Sequence, residues 1–425
     1  MMRLARKAQT TLATLSMVVS LGLAGNVFGA AAATKDSSTW FRIGTETTAD
    51  WQVSQLEATP DTVLIRPRRL RSSKPLKRVL VLYPRSSSAY DTAITKIVSI
   101  FADKRIDTEF TVTNYWTDPA RGKVALEQAE ASNFDLIMTM GSESTAWLWS
   151  AYRGGRLPVV SVCSKDPVLL GQMKDYVQGS GNNFAFTSLN MPIDVQMSYV
   201  LQLRPSLKNF AVLVDAANIS AVQTQAEPAA AYARARGIRV FDLAIKQPQN
   251  AKEELTRLVR ETVATMRKND PDLTDSIFWI TGSTTVFSEI ATINANSFRV
   301  PVLSTVTDVV QAGDNTAALS VGISFESNAY QAALFAIDIL ENLRKPGDIS
   351  VGIVSPPDVA ISFRKAREIG MRIPMPLFEG ASVIFDNDGR LARSNAGDVK
   401  ANTIGASLEN PVRDDITKSS SGSIE

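Results

Sequence analysis

The stretch Asn133–Trp147 reads NFDLIMTMGSESTAW. Seven mostly apolar residues, 134–140, run into a glycine, which is followed by small hydroxyl residues and an acid. This pattern is typical of a buried strand that ends in a tight turn before a helix. Two interpretations of the turn compete: a nucleophilic serine on a strained strand-to-helix elbow, or a helix N-terminus that offers N–H groups to a ligand.

The composition argues against the nucleophile. The 425 residues contain no histidine, which excludes Ser-His-Asp and Cys-His pairs as well as metal sites built on two histidines. The second glycine of a G-x-S-x-G elbow is also missing, because Thr145 and Ala146 follow Ser144. Carboxylate or lysine chemistry remains conceivable, but no motif marks it. We therefore expect no catalytic residue, no cofactor and no metal.

The first 33 residues have the three-part layout of a secretory signal peptide. Arg3, Arg6 and Lys7 precede an apolar run at about 12–23, and small residues follow it. A membrane anchor is the weaker interpretation because the run is short for a bilayer. No cysteine stands at the expected cleavage junction near Ala30, so we expect a soluble periplasmic protein without a lipid anchor.

Charge and cysteine content bound the partners and the covalent structure. Lys and Arg number 45 against 43 Asp and Glu, a near balance that argues against nucleic acid as a partner. The single cysteine, Cys163, excludes an intrachain disulfide. Residues 34–77 are predicted to form a basic N-terminal extension, and the stretch 65–78 at its end holds seven cations and no acid. That stretch is either a solvated linker, which we favour, or a docking patch; residues 385–425 are predicted to be a flexible tail.

From residue 78 onward, short β-branched runs alternate with longer stretches of helical period. Strands are predicted at 78–84, 108–115, 134–140 and 157–163, and a second series at 209–215, 238–245, 276–282 and 300–305. Helices are predicted between them, including 221–236 and 284–296. One open sheet holding every strand would be unusually wide. The sequence therefore predicts an α/β fold with two doubly wound parallel-sheet lobes.

Three stretches carry a resemblance to a known family: RLPVVSVCSKDPVLLGQM (156–173), the segment 298–340 and the closing block 344–378. They resemble type I periplasmic binding proteins, and most closely the substrate-binding proteins of ABC transporters in the family that includes aromatic-amino-acid binders. Phe325, where that family usually has tyrosine, and Ala329, where it has glycine, depart from the pattern. These departures bear on the ligand more than on the fold.

The resemblance implies a fold of two lobes joined by a three-segment hinge, with the ligand between them. Residues 78–189 and 323–355 would form lobe 1, and 190–322 and 356–384 lobe 2. The hinge would cross near 184–190, 318–324 and 356–362. It also implies delivery of a small molecule, an amino acid or similar carboxylate, to an ABC permease. The oligomeric state stays open, with a monomer as the default expectation.

The ends of the predicted strands supply the candidate binding residues, because open α/β sheets bind ligands at the carboxyl ends of their strands. These loops are small and hydroxyl-rich. The candidates are Arg85, Ser86, Ser142, Ser144, Thr145, Ser164, Asp166, Phe186, Asp215, Thr281, Ser283, Thr284, Ser304 and Thr305.

Several candidates also have an ordinary structural interpretation. Ser142 and Thr284 suit helix caps, and Asp166 before a proline suits a turn. Asp215 suits either a ligand ammonium or a helix cap. Arg85 is either an anion clamp or a solvated arginine, and an aromatic such as Phe186 at a strand end is more often core.

Two rival functions stay open at this stage. A ligand-sensing subunit of the same fold would report occupancy to a membrane receptor instead of a permease. An enzyme would use Asp, Glu or Lys165 in the cleft, and turnover of a bound ligand would reveal it.

Overall fold

The computed structural model describes residues 40–56 and 59–394. The predicted signal peptide, residues 1–33, and the predicted tail from 395 onward lie outside these ranges. Among the described helices, none combines the length and apolar character needed to cross a bilayer.

The first half of the chain builds a seven-stranded sheet. Its elements are β1 (Trp51–Leu56), β2 (Thr59–Pro67), β3 (Lys77–Tyr83), α1 (Ser88–Asp103), β4 (Thr108–Asn114), α2 (Pro119–Ala131), β5 (Leu136–Met140), α3 (Gly141–Tyr152), β6 (Val159–Val162) and β7 (Phe184–Ala185), followed by the short strand β8 (Thr187–Ser188). The strand order is β1-β2-β4-β3-β5-β6-β7, and the strands from β4 to β7 are parallel. Burial is complete along β5 and β6, which explains their unbroken apolar runs.

The second half builds an eight-stranded sheet. Its elements are α4 (Ile193–Leu203), β9 (Asn209–Asp215), α5 (Ile219–Ala221), α6 (Glu227–Ala235), β10 (Arg239–Ile245), α7 (Ala251–Met266), β11 (Ser276–Ile280), α8 (Thr284–Phe287), α9 (Ile290–Asn296), β12 (Val302–Ser304) and β13 (Leu319–Gly322). After α10 (Phe325–Leu340) and β14 (Gly352–Ile353) come β15 (Asp358–Ser362), α11 (Phe363–Glu368), α12 (Met375–Glu379), β16 (Val383–Phe385) and β17 (Leu391–Arg393). The strand order is β10-β9-β11-β12-β13-β15-β16-β17.

The chain passes between the two sheets three times. It leaves the first sheet after β7, returns after β13 to place α10 against α1, and leaves again between β14 and β15. The parallel pair β8–β14 holds two of these crossings side by side. We call the seven-stranded sheet with α1, α2, α3 and α10 the first lobe, and the eight-stranded sheet with its helices the second lobe. The expected α/β fold with two lobes and a three-segment hinge is confirmed.

The sheets are not parallel throughout. β15 runs antiparallel to β13, because the chain re-enters the second sheet from the first lobe and so from the opposite direction. Strands β1 and β2 also join the first sheet in antiparallel fashion. Two predicted helices are interrupted as well: a π-helical turn, Val222–Ala226, precedes α6, and the stretch 284–296 divides into α8 and α9.

The solvated-linker interpretation of residues 65–78 is wrong. Ile65 is fully buried in β2, which lies between β1 and β4 in the first sheet. The Asp107 carboxylate accepts hydrogen bonds from the backbone N–H groups of Arg71 and Ser72. Five of the seven cations form ion pairs, namely Arg66, Arg71, Lys74, Lys77 and Arg78. The basic stretch is thus part of the first lobe.

The beginning of the predicted tail is also part of the fold. Strand β17 pairs antiparallel with β16 at the edge of the second sheet. The Arg393 guanidinium donates hydrogen bonds to the backbone carbonyls of Phe378 and Ala381, each at 3.1 Å. The ordered second lobe therefore continues past residue 385.

Replacement of Ile65 tests whether the N-terminal hairpin belongs to the core. We expect Ile65→Ala to lower the free energy of unfolding by about 2–5 kcal/mol, because it opens a cavity in a packed interior. Gln52→Ala, at an exposed position of β1, serves as the control and is expected to change it by about 0.5 kcal/mol or less. Urea unfolding measures both, and equal effects would contradict the packing.

Candidate functional site

A cavity of about 720 Å³ lies between the carboxyl ends of the two sheets. The loops after β3, β5 and β6 form its first-lobe wall, and those after β9, β11 and β12 its second-lobe wall. This is the position at which open α/β sheets bind ligands, because strand-end loops and helix N-termini converge there.

Lys165 is a buried cation at the centre of this arrangement. It follows β6, and 7% of the residue is exposed. Its Nζ lies 3.4 Å from the carbonyl oxygen of Gly282 in the second lobe, and its backbone N–H donates to Ser142 Oγ at 2.8 Å. No carboxylate of the described residues forms an ion pair with it. Burial lowers the pKa of Lys165 from 10.5 to about 8.

Gly282 makes room for that ammonium group. A Cβ at this position would lie 2.2 Å from Lys165 Nζ and 3.1 Å from Gln225 Oε1. The Gly282 N–H donates to Gln225 Oε1 at 2.7 Å, so the π-helical turn that carries Gln225 holds this backbone in place. The glycine therefore lets the lysine of one lobe reach the backbone of the other.

A carboxylate stands on the second-lobe wall. Asp215, the last residue of β9, is 6% exposed. Its Oδ1 accepts from the backbone N–H of Ala217 at 2.9 Å and its Oδ2 from the Thr285 hydroxyl at 2.7 Å. These bonds orient the carboxylate, which still lines the cavity and has lone pairs for a further donor.

Aromatic rings and buried polar atoms complete the walls. Tyr90, Phe287 and Phe325 line the cavity. The Tyr90 hydroxyl passes so close to Gly141, whose φ is +78°, that a Cβ there would lie 2.1 Å from it. Two further wall residues have polar atoms without a hydrogen-bond partner among the described residues: Gln172 Oε1 and Thr305 Oγ1, on residues 7% and 3% exposed.

Six of the fourteen predicted site residues line the cavity: Arg85, Ser86, Ser142, Asp215, Thr284 and Thr305. Ser142 does not cap its own helix; its hydroxyl instead receives the Lys165 N–H. Arg85 forms an ion pair with Glu143 of the same lobe, and both side chains are partly exposed. Its charge is thus already compensated, which weakens its case as an anion clamp.

The other eight candidates do not line the cavity: Ser144, Thr145, Ser164, Asp166, Phe186, Thr281, Ser283 and Ser304. The Ser144 and Thr281 hydroxyls donate to backbone carbonyls of neighbouring strands, at Leu82 and Leu213. Asp166 caps the turn that follows it and accepts from the Tyr176 hydroxyl. Phe186 packs in the first-lobe core. Buried hydroxyl groups at strand ends need partners, and neighbouring backbone supplies them.

Sequence reasoning missed several wall residues. It considered Lys165 only as a residue of a rival enzyme, and it overlooked Tyr90, Gln225 and Phe287. The one available signal was a lysine directly after a buried strand, between Ser164 and Asp166. Within the described ranges no cluster of three or more His, Cys, Asp or Glu residues suits a metal ion.

The chain is similar to known binding proteins. The pattern of the family described as ABC transporter substrate binding protein matches residues 89–383. Among curated proteins no sequence matches this chain. At a sequence identity below 25%, likeness to a solved structure shows the fold alone.

Three solved structures share the fold. One is the ABC domain in complex with L-Trp from Streptococcus pneumonia, at 20% identity and TM-score 0.56, covering 72% of this chain and 100% of that one. Another is a conserved domain protein from Vibrio cholerae, at 18% identity and TM-score 0.58, covering 72% of this chain and 99% of that one. The third is the ligand-free, open structure of a substrate binding protein with adhesive properties from Clostridium difficile. It has 18% identity and TM-score 0.55, and the match covers 72% of this chain and 98% of that one.

Removal of the buried charge should stabilise the unliganded protein. Because folding lowers the pKa of Lys165 to about 8, the folded state is penalised below that pH, at about 1.4 kcal/mol per pKa unit. We expect Lys165→Met, which keeps an unbranched stem, to raise the free energy of unfolding at pH 7 by about 3 kcal/mol.

The pH dependence and a control complete this test. Between pH 8 and 10.5 the unfolded wild type binds more protons at Lys165 than the folded one, so its stability rises and the advantage of Lys165→Met shrinks. Lys252→Met, at an exposed position of α7, is expected to change stability by about 0.5 kcal/mol or less. Urea unfolding of ligand-free samples measures these differences; a Lys165→Met variant less stable than wild type at pH 7 would contradict the unpaired ammonium.

Proposed function

We propose a ligand class and a transport role for this chain, which belongs to the family of ABC transporter substrate binding proteins. It captures a small molecule in the cleft between its lobes, and we infer that this molecule is an amino acid or a similar small carboxylate. The protein makes and breaks no bond in it. The single observation that carries the proposal is the ammonium group of Lys165, buried in the cleft without a carboxylate partner among the described residues.

An anionic ligand explains why such a charge persists. Burying an ammonium without a counter-charge costs several kcal/mol, and natural proteins retain such costs at functional positions. A ligand carboxylate beside Lys165 supplies the missing charge. Lys165 Nζ reaches Gly282 of the other lobe. Closure of the two lobes over an anion is therefore favourable, whereas closure without one buries an uncompensated charge.

The opposite charge on the other wall suits an amino acid. Asp215 presents a carboxylate to the cavity from the second lobe, where a ligand ammonium would find an acceptor. Tyr90, Phe287 and Phe325 offer apolar surface for a side chain. A neighbouring structure at 20% identity contains L-Trp, and this supports the same ligand class.

We further propose that the protein works outside the cytoplasmic membrane, as a monomer, and hands its ligand to an ABC permease without involvement of nucleic acid. Lobe closure changes the relative orientation of the two outer surfaces, which lets a permease distinguish the loaded from the empty protein. The family match supports this role.

A thermal-shift screen tests the ligand class directly. Amino acids and small carboxylic acids are compared with the amines that lack their carboxylate. A ligand at about 100 times its Kd stabilises the folded protein by about 2.7 kcal/mol and raises Tm by several degrees. We expect shifts with acids only and recovery of the intact ligand. Equal shifts with the matched amines would overturn the carboxylate, and a recovered product would overturn the absence of catalysis.

Binding variants locate the charge that matters. We expect Lys165→Met to weaken the ligand found in the screen by about 30-fold or more, because it leaves the ligand carboxylate without its partner. Arg85→Met is expected to weaken it by about threefold or less, since Arg85 is paired with Glu143 and partly exposed. Calorimetric titration measures both, and the reverse ranking would move the anion site to Arg85.

The pH dependence of affinity provides a second signature. Because the pKa of unliganded Lys165 is lowered to about 8, the wild-type Kd is expected to rise up to about tenfold per pH unit above pH 8 and to stay flat below it. Lys165→Met lacks this step, which separates it from titration of the ligand amine. The same pH profile in both proteins would refute the role of Lys165.

A further inference from the structure

A side-chain carboxamide stands beside the buried ammonium of the cleft. Gln225 lines the cavity, and 5% of the residue is exposed. Its Oε1 accepts the Gly282 N–H at 2.7 Å, while Lys165 Nζ lies 3.4 Å from the Gly282 carbonyl oxygen. Both Oε1 and Nζ lie within 3.1 Å of the point that a Gly282 Cβ would occupy. The absence of a side chain at Gly282 thus brings the carboxamide and the ammonium together.

The protein itself uses only one half of this carboxamide. The oxygen of Gln225 is bonded to Gly282, whereas its Nε2 group has no hydrogen-bond partner among the described residues. Unlike the unpartnered Oε1 of Gln172, this Nε2 group is not closed off from solvent. Since Gln225 is buried and lines the cleft, its Nε2 is a hydrogen-bond donor that faces the cleft.

The backbone that carries Gln225 is held in place from the first chain crossing. Gln225 belongs to the π-helical turn Val222–Ala226, and such turns are rare and recur at functional sites. Asn190, which follows β8, donates from Nδ2 to the Thr224 carbonyl oxygen at 2.8 Å and accepts the Asp166 N–H at Oδ1 at 3.1 Å. Thr224 adjoins Gln225 and Asp166 adjoins Lys165. One buried asparagine therefore fixes the backbone beside both donors.

We propose that Gln225 determines the specificity of the cleft for a carboxylate, as the second donor beside Lys165. This inference rests on the carboxylate ligand proposed above. One ligand oxygen accepts from Lys165 Nζ and the other from Gln225 Nε2, while Gln225 Oε1 stays bonded to Gly282. Each of the two ligand positions thus requires an acceptor, and a carboxylate offers an acceptor at both.

The carboxamide of the same ligand is the compound that this arrangement rejects. It has the planar shape of the carboxylate, but it carries one acceptor oxygen and one NH₂ donor. Its NH₂ group would face either Lys165 Nζ or Gln225 Nε2 and leave both donors without an acceptor, which is costly in a buried site. The wild-type cleft is therefore expected to prefer an amino acid to its carboxamide.

Replacement by glutamate tests this role, because Gln225→Glu keeps the shape and the oxygen that holds Gly282 but turns the free donor into an acceptor. Calorimetric titration compares the common amino acids with their carboxamides. We expect each acid that binds the wild type to bind Gln225→Glu about tenfold or more weakly, and its carboxamide to bind about tenfold more tightly. Gln223→Glu, an exposed position of the same turn outside the lining, is expected to leave both Kd values unchanged.

Two results of this titration would overturn the role of Gln225. An unchanged preference for the acid in Gln225→Glu would mean that Gln225 only holds the backbone of Gly282. Equal effects of Gln223→Glu would trace the change to added negative charge anywhere on the turn.

A measurement on the ligand-free protein separates this inference from the proposed ligand. We expect Gln225→Glu, but not Gln223→Glu, to raise the pKa of Lys165 above about 8, because a carboxylate beside an ammonium favours the charged form. NMR titration of the Lys165 Nζ group measures this, and an unmoved pKa would overturn the juxtaposition of the two side chains. A raised pKa without binding of any amino acid to the wild type would refute the proposed ligand class, and the specificity role with it.

Discussion

Close backbone packing at the hinge is the constraint on which the rest of the structure depends. Gly322 ends β13 so near to Thr305 that a Cβ would lie 1.9 Å from the Thr305 carbonyl oxygen. A backbone contact of this kind cannot be relieved by a side-chain rotation, so only glycine is compatible with it. The hinge strand and the wall of the cleft are thereby held in contact. The three chain crossings bring the carboxyl ends of both sheets to one gap, which is the candidate site.

The polar groups of the cleft differ in whether the protein itself supplies their hydrogen-bond or ion-pair partners. Arg85 forms an ion pair with Glu143, and the Asp215 oxygens accept hydrogen bonds from Ala217 and Thr285, so the fold itself accounts for the positions of both side chains. Among the described residues, the Lys165 ammonium has only the Gly282 carbonyl, at 3.4 Å, as a hydrogen-bond partner. A group that the fold leaves without compensation is costly to retain, and a ligand that compensates it gains affinity for the same reason. This contrast, more than the size of the cavity, supports the proposed carboxylate ligand.

The regular elements could be predicted because their signals are local. Strand β9 has the predicted bounds, and the bounds of the other predicted strands of both lobes differ by a few residues at most. A run of buried apolar residues can be recognised from its own residues alone. The N-terminal hairpin could not be predicted in this way. Its cations read as solvated until Glu109 and Asp107, more than thirty residues away in sequence, are seen to pair with them. The break between α8 and α9 could not be predicted either, because both helices continue one helical pattern in the sequence.

The sequence by itself determined the fold class, the two lobes and the absence of histidine chemistry, because composition and periodicity depend on residue order alone. Only the tertiary structure decided which polar strand-end residues line the cleft. Ser144 and Thr281 donate to carbonyls of adjacent strands and lie outside the cavity lining, whereas Thr305 belongs to it, and no local pattern distinguishes them. The isolation of Lys165 is likewise a property of space: it depends on which carboxylates the fold brings near the ammonium, and within the described residues it brings none into an ion pair.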